Sequence, residues 1–87
     1  MKITFSESAW AEFEILAQDR RLLKRVNQLI ADIQRDGESG IGRPERLSGD
    51  LSGFWSRRID ERHRLVYRLA DNDALEIARC FGHYSDR

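Results

Sequence analysis

Arginine side chains are concentrated in the stretch Leu51–Arg68, which also contains a histidine, a tryptophan, a tyrosine and two carboxylates. Aromatic and branched residues alternate there with polar ones over residues 54–59 and again over 64–69, with a polar turn between the two runs. This period of two predicts a β-hairpin. An arginine-rich strand face that ends at a histidine is well suited to hold a phosphate, because a guanidinium can bind two oxygens at once.

Two adjacent arginines of the hairpin cannot both lie on this face. Successive strand residues point to opposite sides of a sheet, so at most one of Arg57 and Arg58 can share the side of Arg64. We predict that Arg58 is the one that does. The alternative for both is a solvated strand face, or structural ion pairs with Asp60 and Glu61.

Two amphipathic helices are predicted before the hairpin, and each carries an apolar stripe at helical spacing. Ser6 and Asp19 are suitable N-caps for them. We expect Trp10 in the core, since large apolar residues at this period are usually buried, although a stacking platform for a base is the alternative. Gly37 is expected to cap the second helix at its C-terminal end.

One long irregular segment is predicted, Gly37–Asp50, which contains the single proline. Loops on a rigid scaffold often carry functional residues. Pro44 fixes its own backbone and is expected to push Arg43 towards an extended conformation, which would hold Glu45 in a defined direction. From the residues alone, Glu45 is best interpreted as a solvated loop carboxylate.

Short strands at Met1–Phe5 and Ala74–Phe81 complete the predicted fold. The order β-α-α-β-β-β indicates an α+β domain in which a helical hairpin packs on a mainly antiparallel four-stranded sheet. A length of 87 residues indicates a single domain over residues 1–87.

The composition, 40% hydrophobic and 34% charged, indicates a soluble globular protein. Fifteen basic and fifteen acidic residues cancel, so no global attraction to nucleic acid is expected. Cys80 is the single cysteine, which excludes an internal disulfide and fits the reducing cytoplasm. No apolar run has the length of a membrane span, and His63 and His83 lack ligands at metal-site spacing. We therefore predict no membrane association, no metal and no cofactor.

The sequence resembles the YoeB (Txe/YoeB) family, toxins of the RelE superfamily from bacterial toxin–antitoxin pairs. The resemblance is carried by LSGFWSRRI and the following ERHRLVY, by KITFSESAW, by the segment Gly40–Glu45 and by His83-Tyr84, and it covers nearly the whole chain. It implies a RelE-like fold, a cognate YefM-like antitoxin, a homodimer, and a cytoplasmic activity that cuts mRNA on the ribosome and halts translation.

The resemblance also implies roles for individual residues. Metal-free cleavage of RNA needs a base for the 2′-hydroxyl, an acid for the leaving 5′-oxygen and cations for the phosphorus centre. The family pattern assigns these roles to Glu45, His83 and Arg64 respectively. Without the resemblance, His83 and Tyr84 would be interpreted as part of a frayed C-terminus. The residues predicted to bind substrate are Tyr84, Arg58 and Arg57.

Two other functions remain possible for a chain with this resemblance. One is a non-catalytic toxin like the gyrase-binding ParE relatives, which share the superfamily fold but do not need Glu45, Arg64 and His83-Tyr84. The other is an inactive relative that only binds an antitoxin. The chain departs from the family pattern at Ser48, where members carry a basic residue, and in the residues Ser85–Arg87 that follow the tyrosine.

Overall fold

The computed structural model of the chain describes residues 1–82, so the predicted site residues His83 and Tyr84 lie outside the described part. Between Met1 and Gly82 the chain forms two α-helices and five β-strands. The elements, in chain order, are β1 (Lys2–Phe5), α1 (Glu7–Leu16), α2 (Arg20–Arg35), β2 (Glu45–Arg46), β3 (Trp55–Arg58), β4 (Arg64–Ala70) and β5 (Ala74–Arg79).

The five strands of residues 1–82 form one sheet in the order β1-β5-β4-β3-β2. Strand β1 runs parallel to β5, and the other neighbours are antiparallel, which confirms the predicted α+β class with a mainly antiparallel sheet. The predicted count of four strands was one too low. Strand β2 pairs Glu45 with Ser56 and Arg46 with Trp55. Two residues are too short to show the alternation that identifies a strand in a sequence.

Capping explains where the helices begin. The Ser6 hydroxyl accepts from the Ala9 N–H at 3.0 Å, and the Asp19 carboxylate accepts from the Arg21 N–H at 2.9 Å, so both predicted N-caps are confirmed. The predicted C-cap was wrong. Helix α2 ends at Arg35, and its C-cap is Asp36, one residue before Gly37, whose place the extended backbone of Asp36 takes in stopping the helix. Neither helix within residues 1–82 combines the length and apolar composition needed to cross a bilayer.

The core lies between the two helices and one face of the sheet. Its buried side chains come from α1, α2 and the central strands, and they include Ala9, Leu16, Val26, Leu29, Ile33, Leu65, Tyr67, Leu75 and Ile77. Because side chains alternate along a strand, the residues between the core positions of β3 and β4 point to the opposite face. Three of the predicted site residues, Glu45, Arg58 and Arg64, lie on that opposite face.

Trp10 is not part of this core. Its side chain is 48% exposed, so the prediction of a buried tryptophan was wrong. The apolar stripe of α1 has the expected period, but its inward positions are Ala9 and Leu16. Trp10 lies at the rim instead, with its ring 5.3 Å from that of Phe5 and 5.6 Å from that of Phe13.

Candidate active site

The pairing of β2, β3 and β4 places three predicted site residues on one face of the sheet. Glu45 is opposite Ser56, which is opposite Val66, and Arg58 is opposite Arg64. Strands are spaced by about 4.8 Å, and residues two apart along a strand by about 6.6 Å. The backbones of residues 45 and 64 are therefore roughly 12 Å apart, which leaves room for a ligand between their side chains.

The same register decides between the two adjacent arginines. Arg58 is the direct cross-strand neighbour of Arg64, so the prediction that Arg58 shares its face is confirmed. The side chain of Arg58 is exposed. Its backbone is fixed on both sides, because its N–H donates to the Gly42 carbonyl at 2.7 Å and its carbonyl accepts from Arg25 at 3.1 Å.

Arg64 is a nearly buried cation, with 8% of its surface exposed. Its Nη1 donates to three carbonyl oxygens of the hairpin turn, those of Asp60 at 2.8 Å, His63 at 3.2 Å and Glu61 at 3.4 Å. Within residues 1–82 no carboxylate forms an ion pair with it. A cation that is held by dipoles rather than by a counter-charge favours an anionic ligand.

The hairpin turn is built to present those carbonyls. The Asp60 carboxylate accepts from the backbone N–H of Arg62 at 2.9 Å and of His63 at 2.7 Å. Burial opposes ionisation of Asp60, but these two N–H groups outweigh it and hold its pKa below the usual range. The ionised side chain therefore fixes the turn whose outward carbonyls contact the guanidinium of Arg64.

Arg57 has the opposite surroundings, because it is fully buried on the helix side of the sheet. Its Nη1 contacts the Asp32 carboxylate at 2.5 Å, and its Nε donates to the Tyr67 hydroxyl at 3.1 Å. Further bonds run to the carbonyls of Ile41, Asp36 and Ser39 at 3.1, 2.7 and 3.0 Å. All five N–H donors of the guanidinium are used, so Arg57 has none left to bind a substrate, contrary to the prediction from the sequence.

Asp32 is a structural residue that the sequence interpretation missed. It accepts from Arg35 at 2.6 Å, from Arg57, and from the Ile41 N–H at 3.0 Å, and these bonds lower its pKa to about 2. The signal was present in the sequence, because Asp32 follows Leu29 by three residues and so lies beside the apolar stripe of α2. A carboxylate at such a position requires a charged partner.

This network ties down the segment that leads to Glu45. A side chain at Gly40, whose φ is 127°, would collide with the Asp32 carboxylate. The following turn places Arg43 in the left-handed region, with φ 54°, so the prediction of an extended Arg43 was wrong. Pairing of Gly42 with Arg58 and of Glu45 with Ser56 requires this sharp turn, and the pairing outweighs the preference imposed by Pro44.

The end of the described chain, residues 80–82, is held by both α1 and the hairpin. The Glu12 carboxylate accepts from the N–H groups of Cys80 at 2.9 Å and Phe81 at 3.3 Å. The Gly82 N–H donates to His63 Nδ1 at 2.8 Å, and burial raises the pKa of the Cys80 thiol to about 12. The sequence did not predict these contacts of Glu12 and His63, because the residues that they join are 68 and 19 positions apart.

No group of three or more metal-binding side chains is assembled among residues 1–82. The candidate site in the described part is thus a carboxylate, Glu45, and two arginines, Arg58 and Arg64, on one sheet face.

Comparison with known proteins identifies the family. The sequence model of the YoeB-like toxins of bacterial type II toxin–antitoxin systems matches residues 5–84. The chain belongs to this family. The matched residues include all six predicted site positions, from Glu45 to Tyr84.

Individual YoeB relatives agree with this assignment over their whole length. Toxin YoeB of Streptomyces coelicolor is 53% identical over 97% of this chain and 100% of its own. Among solved structures, the YoeB/ParE toxin from Agrobacterium tumefaciens has a TM-score of 0.92 and 40% identity, covering 97% of this chain and 100% of its own. The Staphylococcus aureus YoeB is similar at a TM-score of 0.87, covering 97% of this chain and 98% of its own. It has been solved as a heterotetrameric YoeB-YefM complex, with 43% identity, and as a YoeB dimer, with 42% identity.

Proposed function

We propose that this chain is an endoribonuclease that cuts mRNA in the decoding site of the ribosome and thereby stops translation. The reaction is attack by a ribose 2′-hydroxyl on the adjacent phosphorus, and it uses groups of the protein as base, acid and cations. Neither a global positive charge nor a deep RNA groove is required, because the ribosome holds the mRNA in place and supplies the proximity.

The observation that carries this proposal is the environment of Arg64. A nearly buried guanidinium without a carboxylate partner in residues 1–82 lies beside Arg58 and on the face of Glu45. Two cations and a carboxylate on one sheet face match the charges of a phosphodiester undergoing cleavage. Preorganised positive charge of this kind stabilises the pentacoordinate phosphorus, which carries more negative charge than the ground state.

The proposed reaction begins with loss of the 2′-hydroxyl proton and ends with protonation of the leaving 5′-oxygen. Glu45 takes the proton of the 2′-hydroxyl, and the 2′-oxygen forms a bond to phosphorus. Arg64, with Arg58, holds the charge on the non-bridging oxygens. The bond from phosphorus to the 5′-oxygen then breaks, and His83 gives its proton to that oxygen. The products are a 2′,3′-cyclic phosphate upstream and a 5′-hydroxyl downstream, and Tyr84 holds the substrate.

The proposed partners are a cognate YefM-like antitoxin, the ribosome with its mRNA, and a second copy of the chain. The solved S. aureus complex and dimer support the antitoxin and the homodimer. We propose that an acidic antitoxin segment covers the face of Arg58 and Arg64, since opposite charge neutralises a buried cation. Hydrogen exchange at Phe81 and Gly82 should change when the antitoxin binds, and unchanged exchange there and on the arginine face would contradict this.

A non-catalytic toxin like ParE is the second candidate, and the combined YoeB/ParE description of the A. tumefaciens neighbour is the observation that favours it. The two candidates differ in what they require of the site. A binding toxin has no need of a base, whereas an endoribonuclease loses its activity when the Glu45 carboxylate is replaced by an amide.

Purified ribosomes programmed with a defined mRNA test the proposal. We expect the wild-type protein to cut the codon in the decoding site, and Glu45→Gln and Arg64→Met to lower the single-turnover rate by about 10²–10⁴-fold. Arg68→Met is the matched control. Arg68 lies on the same strand face, but it is exposed and already paired with Glu76 at 2.6 Å. Absence of cleavage by the wild type, or full activity of Glu45→Gln, would overturn the proposal.

A further inference from the structure

Gly82, the last residue described, is clamped through both of its backbone polar groups. Its N–H donates to His63 Nδ1 at 2.8 Å, and its carbonyl accepts from the Arg64 N–H at 3.0 Å. Gly82 has a φ of 85°, a backbone conformation that residues other than glycine rarely adopt. Two consecutive hairpin residues therefore fix the chain immediately before position 83.

The ring of His63 is itself held in place. It stacks on the ring of Phe81, with centroids 4.4 Å apart and an angle of 27° between the planes. Its backbone N–H donates to the Asp60 carboxylate at 2.7 Å. To accept from Gly82, Nδ1 must carry no proton, so the ring is neutral with its hydrogen on Nε2.

We propose that His63 is a positioning residue that sets the location of the general acid through the backbone of Gly82. This inference rests on the proposed function, in which His83 is that acid. Arg64 takes part in both sides of the arrangement, because its side chain is the proposed phosphate-binding cation and its backbone N–H holds Gly82. The clamp thus couples the cation and the acid through one hydrogen-bonded unit.

The chemistry explains why such a clamp matters. A general acid acts only within hydrogen-bond reach of the leaving oxygen, and a misplacement of about 1 Å can cost about 10²-fold in rate. Substrate binding does not depend on this distance to the same degree. Loss of the clamp should therefore reduce the rate of the chemical step and leave the affinity for the ribosome unchanged.

Two substitutions separate the hydrogen bond from the packing. His63→Phe keeps an aromatic ring against Phe81 but removes the acceptor. His63→Asn removes the ring but places an amide oxygen at the position of Nδ1, so that Gly82 can again donate. The single-turnover rate on programmed ribosomes, the ribosome concentration at half-saturation, and the amide proton resonance of Gly82 are measured for both variants and the wild type.

We expect His63→Phe to lower the saturated rate by about 10²-fold, with an unchanged half-saturation and an upfield shift of the Gly82 amide proton. His63→Asn should recover most of the rate and return the amide resonance towards its wild-type position. A merely structural role predicts the reverse order, because His63→Phe conserves the packing better.

Wild-type activity in His63→Phe would overturn the inference, as would a His63→Asn variant that recovers the Gly82 resonance but not the rate. Failure of the proposed function gives a different result, namely no cleavage by the wild type. In that case a Gly82 resonance that does not move in His63→Phe also overturns the clamp itself, since this measurement needs no activity.

Discussion

Arg57 and Arg64 are buried to almost the same degree on one hairpin, yet they are held in opposite ways. Arg57 is fully buried among the core side chains, and all five of its donors are satisfied, one of them by the Asp32 carboxylate. Arg64 lies on the other face and donates only to carbonyl oxygens within residues 1–82. The first arginine is part of a buried network that stabilises the fold, and the second is the one that we propose binds an anion.

The comparison extends to the segments that each arginine controls. The buried guanidinium of Arg57, which is paired with Asp32, holds residues 36–41 through hydrogen bonds to their carbonyl groups. These residues lead to Glu45. On the side of Arg64, Glu12 of α1 holds Cys80 and Phe81, and His63 and Arg64 hold Gly82. These contacts are exposed or half-buried, and Phe81 is 37% exposed. The segment that leads to Glu45 is therefore held by more deeply buried contacts than residues 80–82 are.

The largest expected effect is on the Arg57 side. Arg57→Met leaves the Asp32 carboxylate without its buried partner, and we expect it to lower the free energy of unfolding by about 3–5 kcal/mol. Arg58→Met is the matched control, one residue away and exposed, and it should change stability by less than about 0.5 kcal/mol. Urea unfolding measures both, and equal stability of the two variants would contradict the assignment.

Acid should weaken the same network. The pKa of Asp32 is lowered from 3.8 to about 2, so its carboxylate stabilises the fold fully above about pH 4 and loses this effect as the pH falls towards 2. In Asp32→Asn the unfolding free energy should be lower at neutral pH and fall less steeply between pH 4 and 2. Asp36 and Asp60, whose pKa values are also lowered, account for the remaining slope. An unchanged slope in Asp32→Asn would disagree with this.

The C-terminal contacts should give a smaller and more local effect. Glu12→Ala removes the acceptor for the Cys80 and Phe81 N–H groups and should cost about 1–2 kcal/mol. The Cys80 thiol, with its pKa raised to about 12 by burial, should react slowly with a thiol reagent in the wild type and faster in this variant. Glu14→Ala, exposed on the same helix, is the control. Equal thiol reactivity in both variants would count against the proposed anchoring.

A smaller effect on stability than that of Glu12→Ala is expected for Arg64 itself. Because the cation has no carboxylate partner in residues 1–82, Arg64→Met should leave the free energy of unfolding within about 1 kcal/mol of the wild type, or raise it. Urea unfolding tests this beside the Arg57→Met variant. A loss as large as that of Arg57→Met would show that Arg64 is a structural residue.

Local patterns in the sequence predicted much of the fold. Period-two alternation identified β3 and β4 and, with the rule of opposite faces, limited the arginine beside Arg64 to one of Arg57 and Arg58, of which the register selects Arg58. Ser6 and Asp19 are recognisable caps because their partners lie within three residues. The errors at Trp10 and β2 arose where tertiary packing, not local pattern, decides which of two faces or conformations is adopted.

The site was predicted unevenly for the same reason. The position of Glu45 on the sheet depends on a two-residue strand, and the burial of Arg57 depends on Asp32, which is 25 residues away. The contacts of Glu12 and His63 with residues 80–82 span 68 and 19 residues. No local period encodes such pairs, so the prediction of which charged residues would carry the chemistry depended on the family resemblance.

One measurement tests the central claim most directly. Programmed ribosomes are given an mRNA in which the nucleotide upstream of the cut carries a 2′-hydrogen in place of the attacking 2′-hydroxyl. We predict that this mRNA binds normally but is not cut, while the unmodified mRNA yields a 2′,3′-cyclic phosphate and a 5′-hydroxyl. Cleavage of the deoxy substrate, or a 5′-phosphate on the downstream product, would show that water is the nucleophile and contradict the roles of Glu45 and His83.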